Sequence, residues 1–121
     1  MIIYSSRTGN VRYITTKLES IDCLDIKDIE TVDSNFIIFT YTDGLGNIPK
    51  AVDEFMINNY QNCKGVIASG NSNFGVNVFC ASADKINEKY GIPVIHKIEL
   101  RGFEKDYKFI KEQYDLIMRK G

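Results

Sequence analysis

Short apolar runs alternate along the chain with polar, glycine-containing loops and with stretches where apolar residues recur every three or four positions. Ile2-Ile3-Tyr4 stops at Ser5-Ser6-Arg7-Thr8-Gly9-Asn10, after which Val11, Ile14 and Leu18 return at helical spacing. The pattern predicts strand, loop, helix. Phe36-Ile37-Ile38-Phe39 is a continuous apolar run of the kind found in strands covered on both faces, and it gives way to Tyr41-Thr42-Asp43-Gly44-Leu45-Gly46-Asn47. Pro49 suits a first helical turn, and Val52, Phe55 and Met56 supply the stripe that packs a second helix. Gly65-Val66-Ile67-Ala68 repeats the buried strand and is followed by Ser69-Gly70-Asn71-Ser72-Asn73-Phe74-Gly75. Phe79, Ala83, Ile86 and Tyr90 mark a third helix that Gly91 and Pro93 stop. Ile92 to Leu100 reads as a strand, and Tyr107, Ile110, Tyr114 and Ile117 as a closing helix.

Alternating strands and helices imply right-handed crossovers onto a parallel sheet with helices on both faces, a doubly wound α/β domain of about five strands spanning residues 1–121. Asp22 to Ile29 alternates apolar and acidic residues and reads either as an edge strand or as loop. In such a sheet ligands sit beyond the carboxyl ends of the strands, where the glycine-containing loops fall. The first loop offers the hydroxyls of Ser5, Ser6 and Thr8, flexible backbone at Gly9 and the amides of a helix start. It suits a phosphate, although the same residue types also cap helices. It has neither the lysine of a nucleotide-triphosphate loop nor the glycine spacing of a dinucleotide fold. In the second loop Gly44 and Gly46 let backbone approach a flat ligand or form a plain turn. In the third, Phe74 either covers a ring beside Ser69, Asn71 and Asn73 or joins the core.

Composition narrows the field. The 121 residues are 44% apolar, and 15 basic against 16 acidic side chains leave a net charge of −1, which argues against nucleic-acid binding through phosphate neutralisation. Residues 19–33 are acidic and residues 101–120 lean basic, a distribution that solvated faces explain as well as docking does. Cys23, Cys63 and Cys80 form no paired motif, so reduced thiols in a cytoplasmic protein are expected. No run approaches a membrane span. His96, alone in its strand, and the tyrosines Tyr4, Tyr41, Tyr107 and Tyr114 read as packing residues rather than ligands or radical relays.

Several pieces in order, Thr8-Gly9-Asn10-Val11, Thr40-Tyr41-Thr42, Gly44-Leu45-Gly46-Asn47-Ile48-Pro49, Ala68-Ser69-Gly70-Asn71, Ala81-Ser82-Ala83-Asp84 and Ile92-Pro93-Val94, resemble the NrdI family of flavodoxin-like proteins that accompany class Ib ribonucleotide reductase. The resemblance implies an FMN cofactor: Ser5, Ser6, Arg7, Thr8, Gly9, Asn10 and Val11 around its phosphate, with Thr42, Asp43, Gly44, Leu45, Gly46 and Asn47 and Ser69, Gly70, Asn71, Asn73, Phe74 and Gly75 around its ring. It implies further that a donor reduces the flavin, which reacts with dioxygen. The superoxide so formed would assemble the dimanganese-tyrosyl radical cofactor of the reductase small subunit. No catalytic side chain and no protein-bound metal is expected, because the cofactor supplies the redox chemistry. Phe74 stands where relatives commonly carry tryptophan and Asp43 where a neutral residue is expected, which touches flavin tuning. A general electron-carrying flavodoxin and a flavin-free module of the same fold are the alternatives.

Overall fold

A computed structural model describes residues 1–120. The strands are β1 (Ile2–Tyr4), β2 (Cys23–Asp25), β3 (Phe36–Tyr41), β4 (Cys63–Gly70) and β5 (Val94–Glu99). The helices are α1 (Asn10–Thr15), α2 (Lys50–Asn59), α3 (Ala81–Tyr90) and α4 (Glu104–Lys120). All strand pairs are parallel, in the order β2-β1-β3-β4-β5. The doubly wound sheet is therefore as the sequence pattern predicts.

Consecutive apolar residues in the strands serve opposite faces. Ile3, Phe36, Ile38 and Val66 pack with Val52, Phe55 and Met56 of α2 and Ala83 and Ile86 of α3. Ile2, Ile37, Phe39 and Ile67 pack with Val11 and Ile14 of α1 and Tyr107 and Ile110 of α4. Period-two alternation between two covered faces is why these strands read as unbroken apolar runs.

The ambiguous segment after Asp22 resolves into both of its readings. Cys23–Asp25 is an edge strand, and Ile26–Asp28 turns into a short 3₁₀ helix where the Asp25 side chain accepts the Lys27 amide. Helix α1 is shorter than the apolar spacing suggests. Thr15 and Thr16 turn their hydroxyls onto the carbonyls of Arg12 and Tyr13 at 2.7 and 2.6 Å, and Leu18 reaches the core from the following turn. Helix α3 starts at Ala81 rather than at Phe79 because Cys80, with φ 52°, is left-handed. Strands β3 and β4 run on to Tyr41 and Gly70, so Ser69 and Gly70 belong to a strand end and not to a loop.

The chain leaves β1 towards β2 on one side and leaves β3 towards β4 on the other. The loops after β1 and β3 diverge, and a crevice opens between them at the carboxyl edge.

Candidate functional site

A cleft of about 690 Å³ lies along this edge. The first loop contributes Ser6, Arg7, Thr8, Asn10 and Val11; the second contributes Thr42, Asp43, Gly44 and Leu45; Ser69, Gly70, Asn71 and Phe74 complete the set. Three segments singled out in the sequence thus meet around one space. Ser5, Gly9, Gly46, Asn47, Asn73 and Gly75 are not among its lining residues. Ser5 is buried beneath the first loop, its amide donating to the Phe39 carbonyl at 2.9 Å. Gly46 is packed against α3, and the Asn47 side chain accepts Lys85 Nζ at 3.0 Å.

In the first loop Gly9 takes φ 94° and occupies the cap position of α1 without a side-chain capping bond. Helix capping therefore accounts for little of the Ser/Thr/Asn content here. Only Ser6 contributes in that sense, its Oγ accepting the Arg12 amide at 3.2 Å. The Asn10 Oδ1 accepts Arg101 Nε at 3.3 Å, which links this loop to the end of β5.

The second loop is a tight turn. Asp43 and Asn47 exchange backbone hydrogen bonds at 2.9 and 2.7 Å, which leaves Leu45 at the tip with 77% of its surface exposed. Gly46 has φ 104°, and a Cβ there would lie 3.0 Å from that of Ala81, so glycine is required by both backbone and space. Behind the turn the hydroxyls of Thr42 and Ser82 meet at 2.9 Å, while Ser69 Oγ donates to the Leu100 carbonyl at 2.7 Å. These two lining hydroxyls are thus engaged inside the protein.

The third loop closes on Asn71, whose side chain accepts the Asn73 amide at 2.9 Å. Glu99 at the end of β5 holds the loop by accepting the Ser72 amide at 2.8 Å and the Ser72 hydroxyl. Phe74 stands out at 64% exposure. It is a wall of the cleft and not part of the core.

Asp43 is not an isolated charge. Its Oδ1 accepts Arg7 Nη1 at 2.9 Å, and the Arg7 guanidinium lies over the Tyr41 ring, 5.2 Å from the centroid. Burial first, and then the Asp43 carboxylate, push the Tyr41 hydroxyl above its ordinary range. The cysteines are inert thiols by contrast: burial pushes Cys63 up to about 11 and Cys80 up to about 12. His96 pairs with Asp106 at 2.8 Å, outside the set of lining residues.

Tyr41, Val78 and Leu100 also line the cleft but escaped the sequence reading of the site. Leu100 follows β5, and the shared carboxyl edge of a parallel sheet was signal enough to find it. Its left-handed φ of 52° and its amide, which donates a hydrogen bond to the Gly70 carbonyl at 2.8 Å, turn the chain back over the cleft. No comparable signal marks Val78.

Five parallel strands in this order, with a cleft where the first, third and fourth strands end, define a flavodoxin-like protein. A solved short-chain flavodoxin associated with a non-canonical PDU bacterial microcompartment has the same fold, with a TM-score of 0.63 and 18% identity over 98% of this chain and 95% of its own. Residues 2–112 match the model of the family described as NrdI flavodoxin-like. Protein NrdI of Bacillus licheniformis is 34% identical over 120 residues, 99% of this chain and 91% of that protein. The chain belongs to the NrdI flavodoxin-like family.

Proposed function

We propose that this chain binds FMN in the carboxyl-edge cleft and acts as a redox accessory protein to the radical-bearing small subunit of a class Ib ribonucleotide reductase. One observation carries the cofactor assignment. A loop bearing hydroxyl and amide groups shares a cleft of about 690 Å³ with two loops whose large apolar side chains, Leu45 and Phe74, are 77% and 64% exposed. Exposed apolar side chains around a concave site call for an apolar occupant, and hydroxyls at one end call for a polar one. A flat ring carrying a monophosphate satisfies both.

In this reading Ser6, Thr8 and Asn10, with the backbone of Gly9 and Val11, hold the phosphate. Thr42 to Leu45, Asn71 and Phe74, which line the same cleft, would contact the ring. Bound FMN would supply one-electron reduction of dioxygen to superoxide, the oxidant for the partner's dimanganese-tyrosyl radical site. The protein's part is orientation and access. Leu45 and Phe74 would shield the ring from water, while Gly44 and Gly46 give the second loop the freedom to turn a peptide unit towards it. A cellular donor would reduce the flavin, and the free thiols suit a cytoplasmic setting.

The test is reconstitution. The FMN-loaded, reduced protein, mixed with oxygen and a manganese-loaded small subunit from the same source, is expected to restore the tyrosyl radical measured by electron paramagnetic resonance. A protein that binds FMN but never restores the radical is an electron carrier instead. A colourless protein that ignores added FMN overturns the cofactor assignment itself.

A further inference from the structure

The first and second loops meet through one ion pair. Arg7 Nη1 donates to Asp43 Oδ1 at 2.9 Å, and the same oxygen accepts the Gly44 amide at 3.0 Å, which fixes the acid to the start of the glycine turn. On its other side the guanidinium lies over Tyr41, 5.2 Å from the ring centroid. All three side chains line the cleft. Arg7 and Asp43 are 59% and 41% exposed, so the pair adds little to global stability. Its effect is local: it joins two loops that the backbone does not connect, and it cancels the charge that Asp43 alone would place on the cleft wall.

We propose that Tyr41, Arg7 and Asp43 form a charge-neutral clasp that ties the first loop to the second and sets how strongly the cleft favours the reduced, more negative form of its ring ligand. The second half of this statement rests on the FMN reading above. Removing Arg7 exposes a carboxylate that repels added negative charge. Removing the charge of Asp43 exposes a guanidinium that attracts it. Asp43→Asn keeps an oxygen for the Gly44 amide, so the comparison isolates the charge.

Two readouts test the clasp on the full chain, in wild type, Arg7→Gln, Asp43→Asn and the double variant. Without ligand, the amides of Gly46 and Asn47, which donate to the Asp43 carbonyl at 3.1 and 2.7 Å, report on the turn through hydrogen exchange. Each single variant is expected to speed their exchange about twofold to fivefold, the weight of an exposed ion pair, and the double variant no further. With FMN bound, Arg7→Gln is expected to weaken reduced relative to oxidised FMN by about threefold to tenfold, and Asp43→Asn to strengthen it similarly. A tenfold change is about 30 mV in the two-electron midpoint potential. The double variant is expected to return near wild type. Unchanged exchange in Arg7→Gln, or midpoint shifts of the same sign in the two single variants, overturns the proposal. If wild type binds no FMN, the cofactor assignment fails while the exchange readout still decides whether the clasp exists.

Discussion

Within β3 and β4 every side chain from Phe36 to Thr40, and every residue from Gly65 to Ser69, is buried; a few positions further on, Leu45 and Phe74 are 77% and 64% exposed. The sheet interior and its carboxyl edge are adjacent in sequence and opposite in chemistry. The interior buries its apolar groups on two faces and holds the fold together. The edge leaves large apolar groups in water, which a folded chain gains nothing from unless something covers them. On the proposed function, stability and recognition reside in different residues of the same strand-loop units.

Substitutions on either side of that boundary test the separation. The largest expected effect is Phe39→Ala: the ring is fully buried among Val11, Ile14 and Ile110, and its loss is expected to cost about 3–5 kcal/mol in urea unfolding. At the boundary itself stands Gly70, where an added Cβ would lie 2.9 Å from the Cys80 backbone nitrogen. Cys80 is held by its left-handed conformation and a thiol contact to the Ala68 carbonyl at 3.3 Å, so it has little room to retreat. Gly70→Ala is expected to destabilise by about 1–3 kcal/mol in the same assay and to narrow the cleft as well. The smallest effect on folding is expected from Phe74→Ala, within about 0.5 kcal/mol of wild type. The same variant is expected to lower FMN affinity about threefold to tenfold by fluorescence titration, as the loss of one aromatic contact implies. A large loss of stability in Phe74→Ala would erase the separation.

The apolar pattern reveals the interior almost completely, because a strand covered on both faces leaves an unbroken signature and an amphipathic helix leaves a periodic one. It misplaces ends where one residue's local geometry decides, as with the two threonines that close α1 and the left-handed Cys80 before α3. At the edge, the glycine loops are legible because loop residues that permit turns are distinctive. Their mutual geometry is not. Nothing in the spacing of Arg7 and Asp43 indicates that the two side chains meet, since they are brought together only by the pairing of β1 with β3. Val78 likewise enters the cleft through a return of the chain after β4 that no spacing marks, whereas Leu100, directly after β5, is legible from the shared carboxyl edge.

The all-parallel pairing also governs how the chain reaches this state. Ile2 lies beside Cys23 on one side and Ile37 on the other, and Phe36 beside Cys63, so no strand contact can form as a hairpin between neighbours in sequence. Each pairing closes a segment of about twenty residues or more before its first hydrogen bond compensates the lost chain entropy. Folding is consequently paced by long-range search, with the intervening helices shortening the distance each strand must cover. The first strand, with β2 as its neighbour on one side, has its other edge covered only by β3, which lies about thirty-five residues further along the chain.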